Sequence, residues 1–495
     1  MGCMTSTGQR ERARPADRDA RPEGPAARSE SPAARSEGPA VQAAAPARAR
    51  PIRAPRARAF ARGQVGGLAR PFWVLWGGTL INRIGYLVEP FLAFYLTGVR
   101  GLSLATTGAV LAMSGAGSIV SQLASGALSD RIGRRSVLTL GMLANAAALI
   151  GLGYSRSLPA IFTATLIFGA TIDMYRPASA ALVADLVQPA DRPRAYGLLF
   201  WAVNLGFSVA MVLGGALARS GFMWLFWADA GTCAVVGVIS WRWLPRDRPA
   251  GVPRAAPRAG GPQAGAARMP AGRGGRGRGL LGRLAGRLTS RRRGLLGDPL
   301  MIAYLALSLC YCFVYLQAYT TLPLAMHLQG LSPQEYGLAM AVNGIVIVAL
   351  QPLVSGWLGR HDHCAVLAVG FVIVGLGFGL TALAGSVEAY AATVVVWTLG
   401  EIVTAGLGAA IVADLAPASM RGRYSGAYGA VWSAAYLLGP LGGTRLLALG
   451  AGVLWLCCGL LAAAAAAGLL VLRPAIRRRS RVAQANGGDR SELDK

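Results

Sequence analysis

The sequence predicts an all-α membrane protein with 12 transmembrane helices in two six-helix halves. Hydrophobic residues make up 54% of the 495 residues and charged residues only 14%, whereas soluble domains average about 25% charged residues. Twelve apolar stretches are each about 20 residues or longer, the length at which a helix crosses about 30 Å of hydrocarbon. A repeat at an offset of 229 residues relates the first six stretches to the last six.

The apolar stretches and the segments between them divide the chain into five parts. A helix satisfies its own backbone inside a bilayer, so each stretch is predicted to be helical. The stretches are 72–97, 104–128, 136–154, 158–187, 194–218, 222–243, 299–327, 333–358, 364–383, 388–415, 424–447 and 451–472. The parts are a disordered basic tail (1–70), an N-terminal half (71–244), a basic cytoplasmic linker (245–298), a C-terminal half (299–472) and a cytoplasmic C-terminal tail (473–495).

Most of the net charge of +27 lies outside the apolar stretches. Residues 1–70 carry a net charge of +8, residues 245–297 carry +12 and residues 473–495 carry +4. These segments are rich in Pro, Gly, Ala and Arg and lack aromatic residues interleaved with the arginines, which argues against nucleic-acid binding. We expect them to be attracted to an anionic membrane surface.

Arginine in the short loops predicts the orientation in the membrane. One side has eight loop arginines, at positions 131, 134, 135, 192, 194, 360, 421 and 423, and the other has four, at positions 100, 156, 219 and 445. Arginine-rich loops face the cytoplasm, so both termini are predicted to be cytoplasmic. Arginine replaces lysine almost throughout, which is typical of a GC-rich bacterial genome. The chain is therefore expected in the bacterial cytoplasmic membrane as a multi-pass protein.

An internal repeat supports the division into halves. The triplet Ala184–Leu186 recurs as Ala413–Leu415 at an offset of 229 residues. At the same offset, Arg192, Arg194, Gly197 and Gly214 match Arg421, Arg423, Gly426 and Gly443 without a gap. Two halves related by such a parallel repeat are typical of transporters.

The loop between the second and third stretches carries the most specific motif. It contains Gly126, Leu128, Asp130, Arg131, Gly133, Arg134, Arg135 and Leu138. This spacing resembles the signature loop of the major facilitator superfamily, and the resemblance extends over about residues 72–472. A positive-inside turn would explain the arginines but not Asp130. The resemblance implies that Asp130 caps the eleventh helix and holds the cytoplasmic side shut, a favourable contact between a carboxylate and a helix N-terminus.

The fourth stretch contains Asp173 and Arg176, which share a helix face. The resemblance to drug–proton antiporters of this superfamily implies that Arg176 faces the central cavity. Charges in the middle of a membrane cost roughly 2.5–3.5 kcal/mol each and persist mainly where they have a function. A mutually neutralising pair within one helix is the alternative.

The first stretch presents Asn82, Tyr86 and Glu89 at intervals of four and three residues, which predicts one helical stripe. Glu89 lies well inside the span, where a desolvated carboxylate suits proton loading and release. The alternative is a structural ion pair with Arg83 or Arg176. Glu401 is the corresponding acid of the second half, and its alternative is a polar patch with Thr404. Glu89, Asp173 and Glu401 are thus the candidates for proton coupling.

Other polar groups within the stretches are candidates for the substrate cavity. Together with Asn82, Arg83, Tyr86 and Arg176 they are Asn204, Gln317 and Asn343, and interhelical hydrogen bonding is the alternative for each. The antiporter-associated glycine–proline motif of the fifth helix is eroded between Gly206 and Gly215, and a better copy occurs at Gly439–Gly443.

The resemblance implies a secondary active transporter. We expect proton-coupled export of small amphipathic compounds by alternating access. The alternatives are an importer or exporter of one specific metabolite and a non-transporting membrane sensor on the same fold. No nucleophile–base pair, phosphate loop or metal cluster is evident in the sequence, so an enzyme is not expected. The expected partners are a small-molecule substrate, protons and the lipid bilayer, with no cofactor, metal or nucleic acid, and the chain is expected to be a monomer.

Overall fold

Helices provide the regular structure in the part of the chain that the computed structural model describes. That part comprises residues 68–172, 174, 179, 182–183, 186–188, 191–244, 297–358, 361–417 and 420–493. No β-strand occurs among these residues, as the predicted fold class requires. They all belong to one unit, Arg62–Lys495. The predicted basic tail and nearly all of the predicted linker lie outside the described residues.

The described part of the N-terminal half contains seven α-helices. They are α1 (Arg70–Ile84), α2 (Val88–Phe94), α3 (Leu104–Ile132), α4 (Arg134–Tyr154), α5 (Leu158–Ile172), α6 (Arg192–Ser220) and α7 (Met223–Trp243). A π-helical turn, Tyr95–Val99, follows α2 directly.

The C-terminal half contributes eight described α-helices. They are α8 (Pro299–Thr320), α9 (Leu322–Leu328), α10 (Pro333–Leu358), α11 (His363–Leu380), α12 (Val387–Thr404), α13 (Leu407–Leu415), α14 (Arg421–Leu449) and α15 (Ala451–Leu493). Acceptors in the sequence explain several helix starts, because a side-chain oxygen there satisfies a free backbone N–H. Asp298 accepts from the N–H of Met301 at 3.2 Å, and Asp362 accepts from that of Ala365 at 2.7 Å.

Each of the twelve predicted stretches contains helix. In the described residues, nine helical segments are long and apolar enough to cross a membrane. Three predicted stretches are not among these nine segments. The first is divided into α1 and α2, and the fourth contains α5 with only 15 described residues. The eleventh contains α14, which includes several glycines and Arg445 and is less apolar. Large apolar side chains such as Leu353 and Val471 are 75% and 77% exposed, as expected of surfaces that face lipid. Twelve crossings stay a prediction.

The first and tenth stretches are not continuous helices. Gly85–Leu87 separate α1 from α2, so the prediction that Asn82, Tyr86 and Glu89 form a stripe on one helix is wrong. The N–H groups freed at this break donate to a carboxylate on α7, which satisfies them without a helical partner. Ala405 and Gly406 separate α12 from α13, and Gly406 has a φ of +77°.

The repeat predicted from the sequence also relates two helices of the structure. Helices α6 and α14 are both 29 residues long, and both their first and last residues are related by the offset of 229. The glycines that follow them, Gly221 and Gly450, have φ values of +129° and +133°. Few residues other than glycine adopt such a conformation. The same turn has therefore been kept in both halves.

Each half also packs its helices in the same order. In the first half α3 packs on α5, α4 on α7, and α1 on α6; in the second half α10 packs on α12, α11 on α15, and α8 on α14. Two extensive pairs join the described parts of the halves, α3 with α14 and α6 with α10, and α2 also contacts α8 and α9. A Cβ atom on Gly115 would collide with the backbone of Tyr436 and Leu437, and one on Gly337 would collide with the carbonyl of Met211. Small residues thus let the halves approach closely, as is usual between membrane helices.

Candidate functional site

Glu401 lies in the last turn of α12, just before the break that separates α12 from α13. Its Oε1 accepts a hydrogen bond from the hydroxyl of Tyr315 on α8 at 2.8 Å, and its Oε2 accepts one from the amide of Asn343 on α10 at 2.7 Å. Asn343 also donates to Thr398 at 3.0 Å. Burial favours the protonated form of a carboxyl group, whereas donated hydrogen bonds favour the ionised form. Both oxygens of the Glu401 carboxylate are therefore hydrogen-bonded to neutral side chains.

The surroundings of Glu401 contain no compensating cation among the residues that the structure describes. Thr404, the neighbour named in the alternative reading, does not contact the carboxylate. Its hydroxyl donates to the backbone carbonyl of Glu401 at 2.9 Å and lies 2.8 Å from the hydroxyl of Tyr311. Neutral donors therefore satisfy the carboxylate in this arrangement.

A cavity of about 220 Å³ opens beside Glu401. Side chains from α8, α11, α12 and α14 line it, and Phe200 of α6 joins them from the other half. Seven of the lining side chains are aromatic: Phe200, Tyr304, Tyr311, Tyr315, Phe371, Tyr428 and Trp432. The rings of Tyr311 and Phe371 stack with centroids 4.4 Å apart, and Trp432 meets the ring of Tyr315 edge-on at 5.8 Å.

Sequence reasoning identified Glu401 and Asn343 but missed these aromatic residues. The missed signal lies in α8, where Tyr304, Tyr311, Tyr315 and Tyr319 follow at intervals of seven, four and four residues. Such spacing places all four on one helix face. An aromatic face with polar tips inside a membrane span would have indicated a polar cavity.

A second polar cluster lies in the N-terminal half. Arg83 is 9% exposed, and its guanidinium carbon lies 5.1 Å from the centroid of the Tyr86 ring. Glu89, in the first turn of α2, lies near Tyr86, Tyr336 and Asp229. Asp229 Oδ2 accepts the N–H groups of Leu87 and Val88, both at 3.1 Å. Asp229 therefore caps α2, a structural role that sequence reasoning did not assign.

The space inside this second cluster is much smaller than the cavity beside Glu401. Asn82, Arg83, Tyr86 and Asp229 border a void of about 20 Å³, which is room for about one water molecule. The amide of Asn82 lies 3.7 Å from the sulfur of Met142 and 3.6 Å from that of Cys233. The structure thus brings together the first-stretch candidates, but around a water-sized space.

Two other cavity candidates are engaged in helix packing. The Asn204 amide donates to the carbonyl of Phe200 on its own helix at 2.9 Å, where α6 crosses α10. Gln317 is fully buried; it donates to the carbonyl of Phe313 at 2.8 Å and accepts from the hydroxyl of Thr321 at 2.9 Å. Interhelical hydrogen bonding therefore describes Gln317, which also donates to the carbonyl of Gly439 on α14 at 3.4 Å, but not Asn204, whose bond stays within α6.

The signature loop forms a tight turn between α3 and α4. Gly133 has a φ of +86°, which explains the need for glycine between the two helices. Arg131 is exposed, and Arg134 begins α4. Arg135 is 9% exposed, lies 4.6 Å from the Trp241 ring and donates to the carbonyl of Trp241. The loop is thereby attached to the end of α7.

Several predicted contacts lie outside the described residues. Asp173 and Arg176 are among these, so their mutual pairing and the pairing of Glu89 with Arg176 stay predictions. The backbone of Gly126 and Asp130 belongs to α3, but their side chains are not described. Among the described residues, no three His, Cys, Asp or Glu side chains lie close enough together to hold a metal ion.

The fold and the site together define a class. The chain has two similarly packed helical halves with apolar outer surfaces. Both halves border the aromatic cavity that contains Glu401. This is the architecture of a polytopic membrane transporter. The chain belongs to the Major Facilitator Superfamily, whose family profile matches residues 75–332 and 306–492. It is therefore an integral multi-pass membrane protein and a transporter rather than an enzyme.

Curated relatives cover most of the chain. The uncharacterised MFS-type transporter YqjV of Bacillus subtilis is 25% identical over 72% of this chain and 82% of its own length. The Na⁺, Li⁺, K⁺/H⁺ antiporter of Planococcus maritimus is 22% identical over 74% of this chain and 86% of its own. Among solved structures, a POT family transporter in complex with a thioalcohol-conjugated peptide has a TM-score of 0.64 at 15% identity. It matches 82% of this chain and 96% of its own, and the likeness concerns the fold alone.

Proposed function

We propose that this transporter exports small amphipathic compounds in exchange for protons, as in the drug–proton antiporter branch of the superfamily. The two halves would rock about the cavity that both of them border and expose it to each side of the membrane in turn. The observation that carries this proposal is the Glu401 site. A carboxylate with two neutral donors, beside a largely aromatic cavity, combines a group that takes up a proton with a surface that suits an amphipathic molecule.

The proton-coupling step assigned to Glu401 follows from its surroundings. The titratable side chains that face it are tyrosines of α8, namely Tyr311, Tyr315 and Tyr319, while α10 presents Asn343 and α11 presents Phe371. Tyrosine ordinarily titrates near pH 10. Glu401 is therefore the described carboxyl group at this cavity, and the proposal assigns proton uptake and release to it. Proton exchange by the Planococcus maritimus relative is in keeping with such coupling.

Glu89 and Asp173 remain the alternative coupling candidates. Glu89 lies near Asp229 and two tyrosines, beside a void that admits about one water molecule. The proposal gives this cluster a secondary role because the cavity at Glu401 is the larger of the two, about 220 Å³ against about 20 Å³. Asp130 and the rest of the signature loop are assigned to gating on the cytoplasmic side.

The proposed topology has twelve crossings with both termini in the cytoplasm. The domain boundaries are those predicted from the sequence, and the linker of residues 245–298 is assigned to the cytoplasmic side. The protein is placed in the cytoplasmic membrane of a bacterium as a monomer. Support comes from the arginine bias of the loops and from the bacterial origin of the curated relatives.

The test uses inverted membrane vesicles that are acidified inside by respiration and report their pH through a quenched dye. A panel of amphipathic compounds that includes ethidium should release protons, and thus restore fluorescence, in vesicles that contain the wild-type protein. Glu401→Gln should abolish this response, because the amide cannot carry a proton across. Glu388→Gln changes an exposed acid on the same helix and should respond like the wild type.

The control separates coupling from folding. Each variant is quantified in the membrane, and its monodispersity is checked in detergent. A wild-type response from well-expressed Glu401→Gln would contradict the assignment and move it to Glu89 or Asp173. Compounds that bind the purified wild-type protein but release no protons would contradict proton coupling altogether.

A further inference from the structure

One exposed face of α15 runs from the apolar part of this helix into its basic part. Leu456, Leu460 and Val471 are 61%, 62% and 77% exposed, as expected of side chains that face lipid. Arg478 is exposed and follows Val471 by seven residues, which is close to two helical turns, so it lies on the same face. The lipid-facing surface of α15 therefore leads directly to an arginine.

A cleft of about 490 Å³ lies at this basic part, and its described lining residues are Arg473, Pro474, Arg477, Arg478 and Arg481. We call it the arginine cleft. Four of these five side chains carry a guanidinium group, and none of the five is acidic. Because a guanidinium group can donate two parallel hydrogen bonds to phosphate oxygens, the lining suits a phosphate group.

Two aspartates fix the orientation of α15 at the arginine cleft. Asp362 accepts from Arg473 at 3.0 Å and from Arg477 at 2.5 Å. Asp298 lies 2.7 Å from Arg479. These ion pairs attach the basic part of α15 to the starts of α11 and α8. The cleft is therefore formed before a ligand arrives, and binding requires less ordering of the protein.

Arg478 and Arg481 are the arginines of the cleft that remain for a ligand. Both are exposed, and neither forms an ion pair with an acid among the residues that the structure describes. Arg478 lies about 10 Å beyond Val471 along the helix axis, at 1.5 Å per residue. The headgroup region extends about 5–7 Å outside the hydrocarbon core, and an arginine side chain is long enough to reach back to it. Lipid phosphates are therefore within reach of Arg478, with Arg481 about one turn further along.

We propose that the arginine cleft binds an anionic phospholipid, with Arg478 and Arg481 at the phosphate and the acyl chains against Leu470 and Val471. The sequence predicts only a general attraction to an anionic surface, whereas the cleft gives a defined site. Its continuity with an apolar face favours a lipid over a soluble anion or an acidic protein, because only a lipid engages both parts. None of these residues lines the Glu401 cavity, so lipid binding here is independent of the proposed transport function.

The test measures which lipid lies against this face of α15. In the full-length chain the seven native cysteines are replaced, and Val471→Cys is labelled with bimane. The protein is placed in nanodiscs of phosphatidylglycerol and phosphatidylcholine in equal parts, with brominated chains on one lipid or on the other, so that the composition stays the same. Quenching should show a preference of about threefold to tenfold for phosphatidylglycerol. Leu456→Cys, about 22 Å away on the same face, should show nearly none.

Arginine variants locate the binding. Arg478→Gln should reduce the preference, and its combination with Arg481→Gln should abolish it. Replacement of the same two arginines by lysine keeps the charge and should keep most of the preference. Arg242→Gln removes one charge from an exposed arginine in the last turn of α7 and should leave the preference unchanged, as the matched control for Arg478→Gln.

Soluble competitors distinguish a lipid from a free anion. Inorganic phosphate and glycerophosphoglycerol, the headgroup without its chains, should lower the preference no more than chloride does at the same ionic strength. Displacement of the lipid by either compound beyond that level would assign the cleft to a soluble anion and overturn the proposal. Equal quenching by the two brominated lipids at position 471 would also overturn it. So would an undiminished preference in the double glutamine variant, provided that this variant is monodisperse.

Discussion

Two acids inside the helical body, Asp229 and Glu401, have different surroundings and, on these grounds, different roles. Asp229 accepts two backbone N–H groups that belong to the break between α1 and α2. Glu401 accepts from two side chains and borders a cavity. Backbone donors are held in place by the fold, so an acceptor for them is needed in every state that keeps the break. Side-chain donors can rotate away, which suits a group that gains and loses a proton.

For Asp229 we predict a structural phenotype. Asp229→Ala leaves two buried donors without an acceptor, and loss of a helix cap costs about 0.5–2 kcal/mol, with about 1–3 kcal/mol for an unsatisfied buried group. Asp229→Asn keeps one acceptor oxygen and should lose less than about 1 kcal/mol. The measurement is the free energy of unfolding from SDS titration in mixed micelles. Loss of proton exchange in Asp229→Asn, at unchanged stability, would assign this acid to coupling instead.

Asp362 holds the C-terminal part of α15 through two arginines. Its carboxylate accepts from Arg473 at 3.0 Å and from Arg477 at 2.5 Å. Burial raises the pKa of Asp362, but the hydrogen bonds from Arg477, from the Ala365 N–H and from Arg473 outweigh it, so the pKa lies below its usual value. A depressed folded-state pKa stabilises the attached form above the unfolded pKa of about 3.9, and this stabilisation is lost as the pH falls through the folded value.

A spin label at the exposed position Ala475, in a background without native cysteines, measures this attachment. Asp362→Asn should increase label mobility at pH 7, and the wild type should show the same increase only below about pH 4. Partly exposed ion pairs contribute about 0–1 kcal/mol each, so the detached population should rise up to about fivefold per pair. Asp191→Asn alters an acid in the other half and serves as the control. Equal mobility in wild type and Asp362→Asn at pH 7 would refute the attachment.

At the scale of elements, periodicity and length predicted the order of the helices but not their interruptions. The break at Ala405–Gly406 falls inside an apolar run without proline, and the break at Gly85–Leu87 lies just before Pro90, which occupies the first turn of α2. Their freed backbone groups are satisfied by tertiary partners, such as Asp229, that lie far away in the sequence. Pro440, by contrast, lies inside continuous α14. A local pattern cannot reveal such partners, which is why the stripe predicted for the first stretch was wrong.

The repeated turn after α6 and α14 allows a paired prediction. Gly221→Ala and Gly450→Ala force a side chain into a conformation that costs about 1–3 kcal/mol, so both should lower thermal stability by similar amounts. Gly452→Ala lies two residues further on, within α15, where a Cβ would meet nothing within 4 Å, and it should be neutral or slightly stabilising. Apparent melting in detergent, followed by size-exclusion chromatography, measures all three. A stable Gly450→Ala beside an unstable Gly221→Ala would mean that the two turns are not equivalent.

At the scale of the whole molecule, the sequence predicted two related halves but not which helices join them. The halves meet through α3 with α14 and α6 with α10, and each contact depends on glycines whose sequence surroundings look ordinary. The same limit applied to the candidate site. Tyr315, Asn343 and Glu401 come from three helices, and no sequence spacing connects them. The sequence analysis still identified Asn343 and Glu401, because polar side chains stand out within apolar stretches.

These direct contacts lead to a prediction about the linker of residues 245–297. A tether raises the local concentration of the two halves, and residues of the halves themselves form the described interfaces of α3 with α14 and of α6 with α10. Co-expressed halves, residues 1–244 and residues 298–495, should therefore assemble in the membrane and recover the proton release that amphipathic compounds drive. Within the first half, Gly115→Leu would place a side chain against the backbone of α14 and should prevent assembly. Gly77→Leu, at a position where a Cβ meets nothing within 4 Å, should still permit it. Co-purification through a tag on one half measures assembly. Failure of the unmodified halves to co-purify or to function, at normal membrane levels, would show that the linker has a role beyond tethering.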